Sequence, residues 1–397
     1  MTSGSKGERT RRHFLASALA AVSLPPAAGV LLSAGGCSST AARASRNGRY
    51  SRPFVERPRE PAMLLDAGVL PLPDLSEARI VKNVAGIRPY RRGSIRLEVE
   101  RFADRIIVQN YGHGGAGITL SWGCAEEVAR LVERSFDAGK RCEVAVLGAG
   151  VNGLSCALEM RSRGFDVTVY ADAFSPETTS NVAAGQWAPS LVATSSPLDD
   201  PCRFERILRT AHRRFTALNG IEWGVSHCPN YQTGRGGAGL FRIPDDLVAG
   251  VRLARLPLSG RARSGSVYHT MLIEPPIYMP RLHHEVEEAG ARFKQQRFAT
   301  MSEVFELPQR IIVNCMGLGA GDVCQDSSIV PVRGQLVHLD PQDLGYMFSH
   351  DGGAMFPRRD ALVLGGTMEY NRTTATPDAD SCRAIVVRHR EFFAAGA

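Results

Sequence analysis

The sequence predicts an α/β protein: a doubly wound, Rossmann-like nucleotide domain joined to a second domain built on a mixed or antiparallel sheet. Three observations carry that expectation. Glu143-Val144-Ala145-Val146-Leu147 is a buried-strand pattern that leads through Gly148-Ala149-Gly150-Val151-Asn152-Gly153 into a helical stretch ending at Arg163-Gly164. Asp166 to Tyr170 is a second strand of the same kind, which completes one βαβ unit. Further on, Gly334 to Leu339 and Ala361 to Gly366 read as strands of an antiparallel sheet. The 397 residues leave room for two domains or one large one with an ample core.

Composition narrows the class of partner. Hydrophobic residues at 44% and charged residues at 22% are ordinary for a globular chain. The net charge of +7 is spread out, with no aromatic-interleaved basic stripe, so no nucleic-acid partner is expected. Eight of the nine cysteines follow Cys37, without CxxC pairs. Cys124, Cys156 and Cys315 sit in apolar or glycine-rich segments and read as buried small hydrophobes. No Cys/His cluster has metal-site spacing, and the adjacent His283 and His284 would diverge on a helix.

The first residues read as an address. Thr10-Arg11-Arg12-His13-Phe14-Leu15-Ala16 resembles a twin-arginine export signal, followed by a mildly apolar stretch to Ala34 and then Gly35-Gly36-Cys37. Pro25-Pro26 within that stretch argues against a permanent membrane helix. Cys37 is open to three readings: lipidation, simple cleavage nearby, or an uncleaved tether. Residues 38–60 are polar and arginine-rich and read as a flexible linker. The expected location is the periplasm or cell envelope, reached through the twin-arginine machinery, with the membrane touched only through the leader or a lipid anchor.

Between linker and βαβ unit, Ala78 to Ile87 reads as a strand entering a turn at Arg88-Pro89, and Ile95 to Val99 as a half-buried strand. Ile106-Ile107-Val108 is a third strand, which enters Asn110-Tyr111-Gly112-His113-Gly114-Gly115-Ala116-Gly117-Ile118-Thr119. Trp122 to Phe136 then shows helical spacing. Beyond the βαβ unit, residues 201–298 mix basic helical segments with a glycine-rich loop from Gln232 to Gly239. Pro280 to Gly290 is a helix candidate, and Ile311 to Cys315 a buried strand ending in Met316-Gly317.

Two glycine clusters carry chemistry. In Gly148-x-Gly150-x-x-Gly153, the first glycine permits a tight turn, the second lets backbone approach a pyrophosphate, and the third lets helix and strand pack closely. The helix N-terminus offers unpaired N–H groups to phosphate. Asp172, 19 positions after Gly153, would accept from ribose hydroxyls. In the other cluster, Gly112, Gly114, Gly115 and Gly117 precede a helix and form an anion nest. Thr178-Thr179, read alone, fits a helix cap equally well.

Taken together these segments resemble the D-amino-acid oxidase family. Thr178-Thr179-Ser180-Asn181-Val182-Ala183-Ala184-Gly185-Gln186-Trp187 is similar to the family segment in which a threonine pair touches the FAD pyrophosphate and an Ala-Gly turn passes the isoalloxazine ring. The resemblance implies FAD as cofactor. It implies a cofactor site of Gly148, Ala149, Gly150, Gly153, Asp172, Thr178, Thr179, Ala184, Gly185, Gly317, Gly114, Gly115, Gly117, Ile118 and Thr119. Gly86-Ile87-Arg88-Pro89 resembles the turn whose arginine pairs with the substrate carboxylate, a role suited to the two parallel donors of a guanidinium. In isolation Arg88 would read as a surface ion-pair partner. Three departures are visible: Gln109 for histidine, Ala173 for an arginine beside the adenosine, and Ala354 for the tyrosine that also binds the carboxylate. A lid tyrosine is replaced near His350, with Tyr346 as a candidate substitute.

In the family the glycine nest closes the chain, whereas here it precedes the fingerprint, so the resemblance implies a circularly permuted order. The expected layout is a leader (1–37), a linker (38–60), and an FAD domain (61–200) that includes the displaced segment 75–136. A mainly substrate-binding region (201–300), an FAD-domain return (301–330) and a substrate-domain sheet (331–397) follow. The expected activity is oxidation of the C–N bond of a D-amino acid or related amine by hydride transfer to flavin N5, with O2 as acceptor. A flavin dehydrogenase serving an envelope carrier, or a non-catalytic envelope flavin-binding protein, are the alternatives.

Overall fold

Two sheets organise the chain, and both draw on residues from either side of the Gly148 loop. The computed structural model describes residues 68–135, 142–192, 201–234, 243–259, 263–351 and 353–394. The export motif, Cys37, the linker and most of the Gln232–Gly239 loop lie outside them. No helix among the described residues is long and apolar enough to cross a membrane.

The chain enters through β1 (Ile80–Arg91), β2 (Arg96–Phe102) and β3 (Arg105–Tyr111), then helix α1 (Gly117–Ser135). The βαβ unit follows as β4 (Glu143–Leu147), α2 (Val151–Ser162) and β5 (Asp166–Ala171). Next come α3 (Pro201–Ala217), β6 (Val225–Gln232), β7 (Gly250–Leu253), β8 (Gly265–Ile273), α4 (Pro275–Glu288), β9 (Arg292–Gln295), α5 (Met301–Phe305), β10 (Ile311–Asn314) and α6 (Gly319–Val323). The last stretch holds β11 (Ile329–Leu339), β12 (Met347–His350), β13 (Gly353–Pro357), β14 (Leu362–Gly365), β15 (Glu369–Tyr370) and α7 (Ala379–Ala394).

One sheet has the order β2-β3-β10-β4-β5-β9. Strands β3, β10, β4, β5 and β9 are mutually parallel, and β2 closes one edge antiparallel to β3. The apolar runs of β3, β10, β4 and β5 are buried on both faces, as a helix-covered parallel sheet requires, while the edge strand β9 is largely exposed. Helices α1, α2 and α3 pack together on one face. At the α1–α3 crossing a Cβ on Gly123 would overlap the backbone of Ile207, which explains a glycine inside that helix.

The other sheet has nine strands, in the order β1-β11-β14-β13-β12-β6-β8-β7, with β15 paired to β11 off this path. Val337, Leu339, Met355, Leu362 and Leu364 form one core with Ile385, Val386 and Phe393 of α7, which covers one face. The opposite face looks onto the cavity described below.

Several local expectations change. Residues 88–89 do not turn: β1 runs unbroken to Arg91 and pairs along its length with β11. Pro89 fits because β1 is an edge strand, where a missing N–H costs no interior ladder bond. β1 therefore belongs to the nine-stranded sheet rather than to the FAD-side segment 75–136. Conversely, α3 and β9, within 201–300, pack with the parallel sheet. α4 begins at Pro275, five residues before the expected start, because its first-turn prolines lack only N–H groups that a helix leaves unpaired. α1 likewise starts at Gly117, well before Trp122.

Candidate functional site

The carboxyl end of β4 opens into a cavity of about 1350 Å³ that reaches the bare face of the nine-stranded sheet. A drug-sized ligand occupies roughly 300–1,000 Å³, so this space suits a dinucleotide together with a small substrate.

At the β4 end the glycines act as their spacing predicts. Gly148 has φ +103°, and a Cβ there would sit 2.5 Å from the carbonyl oxygen of Cys315. Gly153 does not face the cavity; a Cβ on it would overlap the carbonyl oxygen of Gly148, so its absence lets α2 close on the loop. Gly150 is the N-cap of α2 and has no side chain to cap with. Ser180, which the sequence did not single out, accepts from Val151 N at 3.0 Å. The first turn of α2 and the first turn of α1, at Gly117 and Ile118, both face the cavity, so two helix N-termini present partial positive charge to it.

Asp172, just past β5, lines the same end beside Gln296 and Arg297. Gln296 N donates to Ala171 O at 2.9 Å and Gln295 Nε2 to Asp172 O at 3.2 Å, which ties this segment to the end of β5. Arg297 thus brings a cation to the neighbourhood where Ala173 lacks one. Nothing local in the sequence could reveal it, because β9 joins β5 only in the folded sheet.

Thr178 and Thr179 line the cavity. Thr178 occupies the N-cap position of a 3-10 turn, yet its hydroxyl donates to Asn181 Oδ1 at 2.7 Å instead of capping the turn. The chain then passes Ala184 and Gly185, both at the cavity wall. Gly185 has φ +108°, and a Cβ there would also overlap the carbonyl oxygen of Ile273, so both the turn and the close approach require glycine.

The glycine nest packs against this passing chain. Gly114 has φ +57° and Gly115 N donates to Leu191 O at 3.3 Å. Gly114, Gly115, Gly117 and Ile118 reach the cavity, as do Ala149 and Gly317. Thr119 does not. It is buried, with Oγ1 donating to Ala188 O at 2.8 Å and accepting from Ala188 N at 3.0 Å, so it clamps the 184–192 segment to α1. Gln109 is also away from the cavity, held by Glu100 and Asn314, which makes that departure a matter of sheet packing.

Arg88 projects from β1 over Gly334 of β11, where a Cβ would overlap the guanidinium. Its Nη1 lies 3.4 Å from Thr367 O, and among the described residues no carboxylate pairs with it. Burial draws its pKa below the usual arginine value, but the group stays cationic. Gly114 N donates to Pro89 O at 2.9 Å, so the strand bearing Arg88 is bonded directly to the nest. Leu336, Phe356 and Met368 add apolar wall beside it.

No tyrosine joins Arg88 in this region through Tyr346: that side chain is fully buried, donates to Pro71 O at 2.7 Å, and lies off the cavity. Ala354 stands at the wall with Ser349, His350 and Asp351 from the β12–β13 hairpin. His350 is held neutral, its pKa pushed to about 3 by burial and by His389, Arg388 and Arg263.

Several buried polar atoms of residues lining the cavity lack partners among the described residues: His113 Nε2, Asn152 Oδ1, and both Nε2 and Oε1 of Gln186. Burial lowers the His113 pKa to about 4 and keeps it neutral. Orphaned buried groups of this kind cost about 1–3 kcal/mol each unless a ligand meets them. With the glycine turns, two helix N-termini and the terminal Asp172, they fit a flavin dinucleotide.

Residues 143–396 match the family described as FAD dependent oxidoreductase (DAO). The human D-aspartate oxidase is 31% identical over 262 residues, covering 62% of this chain and 74% of that protein. A D-amino-acid oxidase of Rubrobacter xylanophilus is 29% identical over 255 residues, covering 61% and 74%. Among solved structures, glycine oxidase from Bacillus cereus aligns at 19% identity with a TM-score of 0.46, over 63% of this chain and 77% of that one. Residues 68–135, with β1, β3 and α1, lie outside the family match yet complete both sheets.

Proposed function

Because the chain belongs to the DAO family of FAD-dependent oxidoreductases, we propose that it oxidises the C–N bond of a D-amino acid or related amine whose carboxylate is held by Arg88. The cofactor is FAD. The observation that carries the reading is the unpaired Arg88 guanidinium in the same cavity as the glycine cradle. A half-buried cation without a carboxylate partner is partly desolvated at a cost that an incoming anion offsets. Two parallel N–H donors would fix a carboxylate in one orientation and so aim the adjacent Cα hydrogen.

When bound, FAD would supply the two-electron acceptor for that hydride, with O2 reduced to hydrogen peroxide as the final acceptor and the imine product hydrolysed by water to a carbonyl compound and ammonia. The rest is positioning by the protein. Thr367 O and the bare Gly334 hold Arg88, the Gly114–Gly115 nest sets a positive field against the ring site, and Leu336 and Phe356 exclude water. Gly148, Gly150, Thr178 and Thr179 would hold the pyrophosphate, Asp172 the ribose, and Ala184, Gly185 and Gly317 the ring region.

The out-of-order nest is read as a circular permutation. Supporting it, Arg390 Nε donates to Leu75 O at 2.5 Å, so the last helix ends beside the start of the displaced segment. Export through the twin-arginine route to the cell envelope belongs to the same proposal. A fusion of residues 1–60 to a folded reporter should be exported, and Arg11→Lys with Arg12→Lys should retain it inside.

The function is tested by anaerobic titration of the purified FAD-loaded protein with a panel of D-amino acids and amines, followed by oxygen uptake. Bleaching of the flavin that disappears in Arg88→Ala, with FAD retained, supports the reading. A protein that no member reduces contradicts it.

A further inference from the structure

Of the unmet polar atoms in the cavity wall, those of His113 and Asn152 belong to the two glycine loops, but the Gln186 amide lies against the nine-stranded sheet. Its Nε2 and Oε1 are both buried and, among the described residues, neither has a hydrogen-bond partner. Backbone pairing fixes its direction. Gln186 bridges Leu272 of β8 antiparallel, with Trp187 N donating to Met271 O at 2.8 Å and Ile273 N to Gly185 O at 2.7 Å. Residues paired in this way send their side chains to one face. Leu272 belongs there to an apolar cluster with Leu336 and Phe356, against which Ala184 and Ala354 also pack. Those last four residues are cavity wall. The chain reaches Gln186 from the Arg88 side of the sheet. A Cβ on Gly86, two residues before Arg88 on the same face of β1, would lie 2.9 Å from Val182 Cγ1.

A neutral amide set among apolar side chains discriminates between kinds of substrate side chain. The other charged groups of the cavity wall lie elsewhere among the described residues. Arg297 and Asp172 follow β9 and β5, Glu177 precedes Thr178, Asp322 is on α6, and Asp351 sits by Gly234, at the far end of β6 from Leu272. A charged side chain beside Gln186 would therefore be buried without a counter-charge. An apolar one would leave both amide atoms unmet, each at a desolvation cost. A carboxamide meets both, accepting from Nε2 and donating to Oε1. We propose that the substrate is an amino acid with an uncharged hydrogen-bonding side chain, a carboxamide above all, read by Gln186 while Arg88 holds the α-carboxylate. This rests on the reading of Arg88 as the carboxylate site. A site built to hydrogen-bond a polar group rejects an analogue lacking it far more sharply than an apolar pocket rejects an added methylene.

The test is binding of non-oxidisable carboxylates to the FAD-loaded protein, followed by perturbation of the flavin spectrum. Succinamate and glutaramate carry a terminal carboxamide at two chain lengths. Each is compared with the branched hydrocarbon of the same shape, 4-methylpentanoate or 5-methylhexanoate, and with succinate or glutarate. At one length or both, the amide should bind about tenfold tighter than its hydrocarbon counterpart and tighter than the dicarboxylate. In Gln186→Met that ratio should fall below one, with acetate binding unchanged. The same variant should raise the urea midpoint of the ligand-free, FAD-loaded protein, because it removes an unmet amide. An amide that beats its hydrocarbon counterpart at neither length, or a ratio unmoved by Gln186→Met, overturns the inference while leaving Arg88 in place. So does a fall in the urea midpoint, which marks an amide with a partner in the fold. Acetate weakened as much as the amides would put Gln186 on the α-carboxylate, and a shifted ligand-free flavin spectrum with weaker FAD retention would put it on the ring; either result also overturns it. If no carboxylate binds, the reading of Arg88 fails, and this inference with it.

Discussion

Replacing Gly334 by alanine isolates the position of Arg88 from its charge. The three atoms nearest the added Cβ would be the guanidinium Nη1, Nη2 and Cζ, all within overlap distance. These are the far end of a flexible side chain, so the fold survives and the guanidinium moves off its seat against Thr367 O. A hydrogen bond to a charged group contributes about 1.5–3 kcal/mol, and 1.4 kcal/mol is tenfold in affinity. Losing one of the two donors aimed at a carboxylate therefore predicts a ten- to hundredfold rise in the dissociation constant for hexanoate. FAD content and the urea midpoint should stay near wild type. The assay is the spectral titration in parallel with unfolding. If Gly334→Ala binds hexanoate like wild type, the carboxylate does not sit on Arg88.

Other perturbations separate cofactor, pH and chain order. Gly153→Ala drives a Cβ into the Gly148 carbonyl, which is rigid backbone, and should abolish FAD retention on gel filtration. His113 is buried with a pKa of about 4, below its unfolded 6.5, so the unfolded chain binds a proton that the native chain does not. Its contribution is therefore complete above about pH 6.5 and is lost as pH falls toward 4. It is worth about 3 kcal/mol by the shift, and His113→Gln should flatten the fall in urea stability across that window. Chain order is tested by moving residues 68–135 behind Ala394 on a short glycine-serine linker, which should give a protein that folds and binds FAD. A fragment starting at Glu143 should be insoluble, because it strips the β3 partner of β10 and the β1 partner of β11.

What could be read in advance follows from how local each signal is. The turn at Gly148, the close approach at Gly153 and the nest at Gly114–Gly115 are set by backbone geometry within a few residues, and each glycine there has a steric reason in the structure. Arg88 was legible through its flanking residues, but its place was not. Pro89 suggested a turn, and only the edge position of β1 allows a proline to continue the strand. Leu336, Gly365 and Ala354 come together only through strand pairing across β11, β14 and β13, which no short window of sequence contains. Ser180 and Gln186 were inside a segment already singled out, yet the bond from Val151 N to Ser180 depends on how that loop lies over α2, and Gln186 is placed by its bridge to Leu272 of β8. Thr119 went the other way: it sits in the motif but serves packing.

A crystal structure of the FAD-loaded protein with hexanoate bound is the most direct test. The ring should lie beside Ala184–Gly185 and the Gly114–Gly115 nest, with the carboxylate within about 3 Å of the Arg88 guanidinium. A carboxylate seated elsewhere in the cavity, or FAD outside the Gly148 cradle, would contradict it.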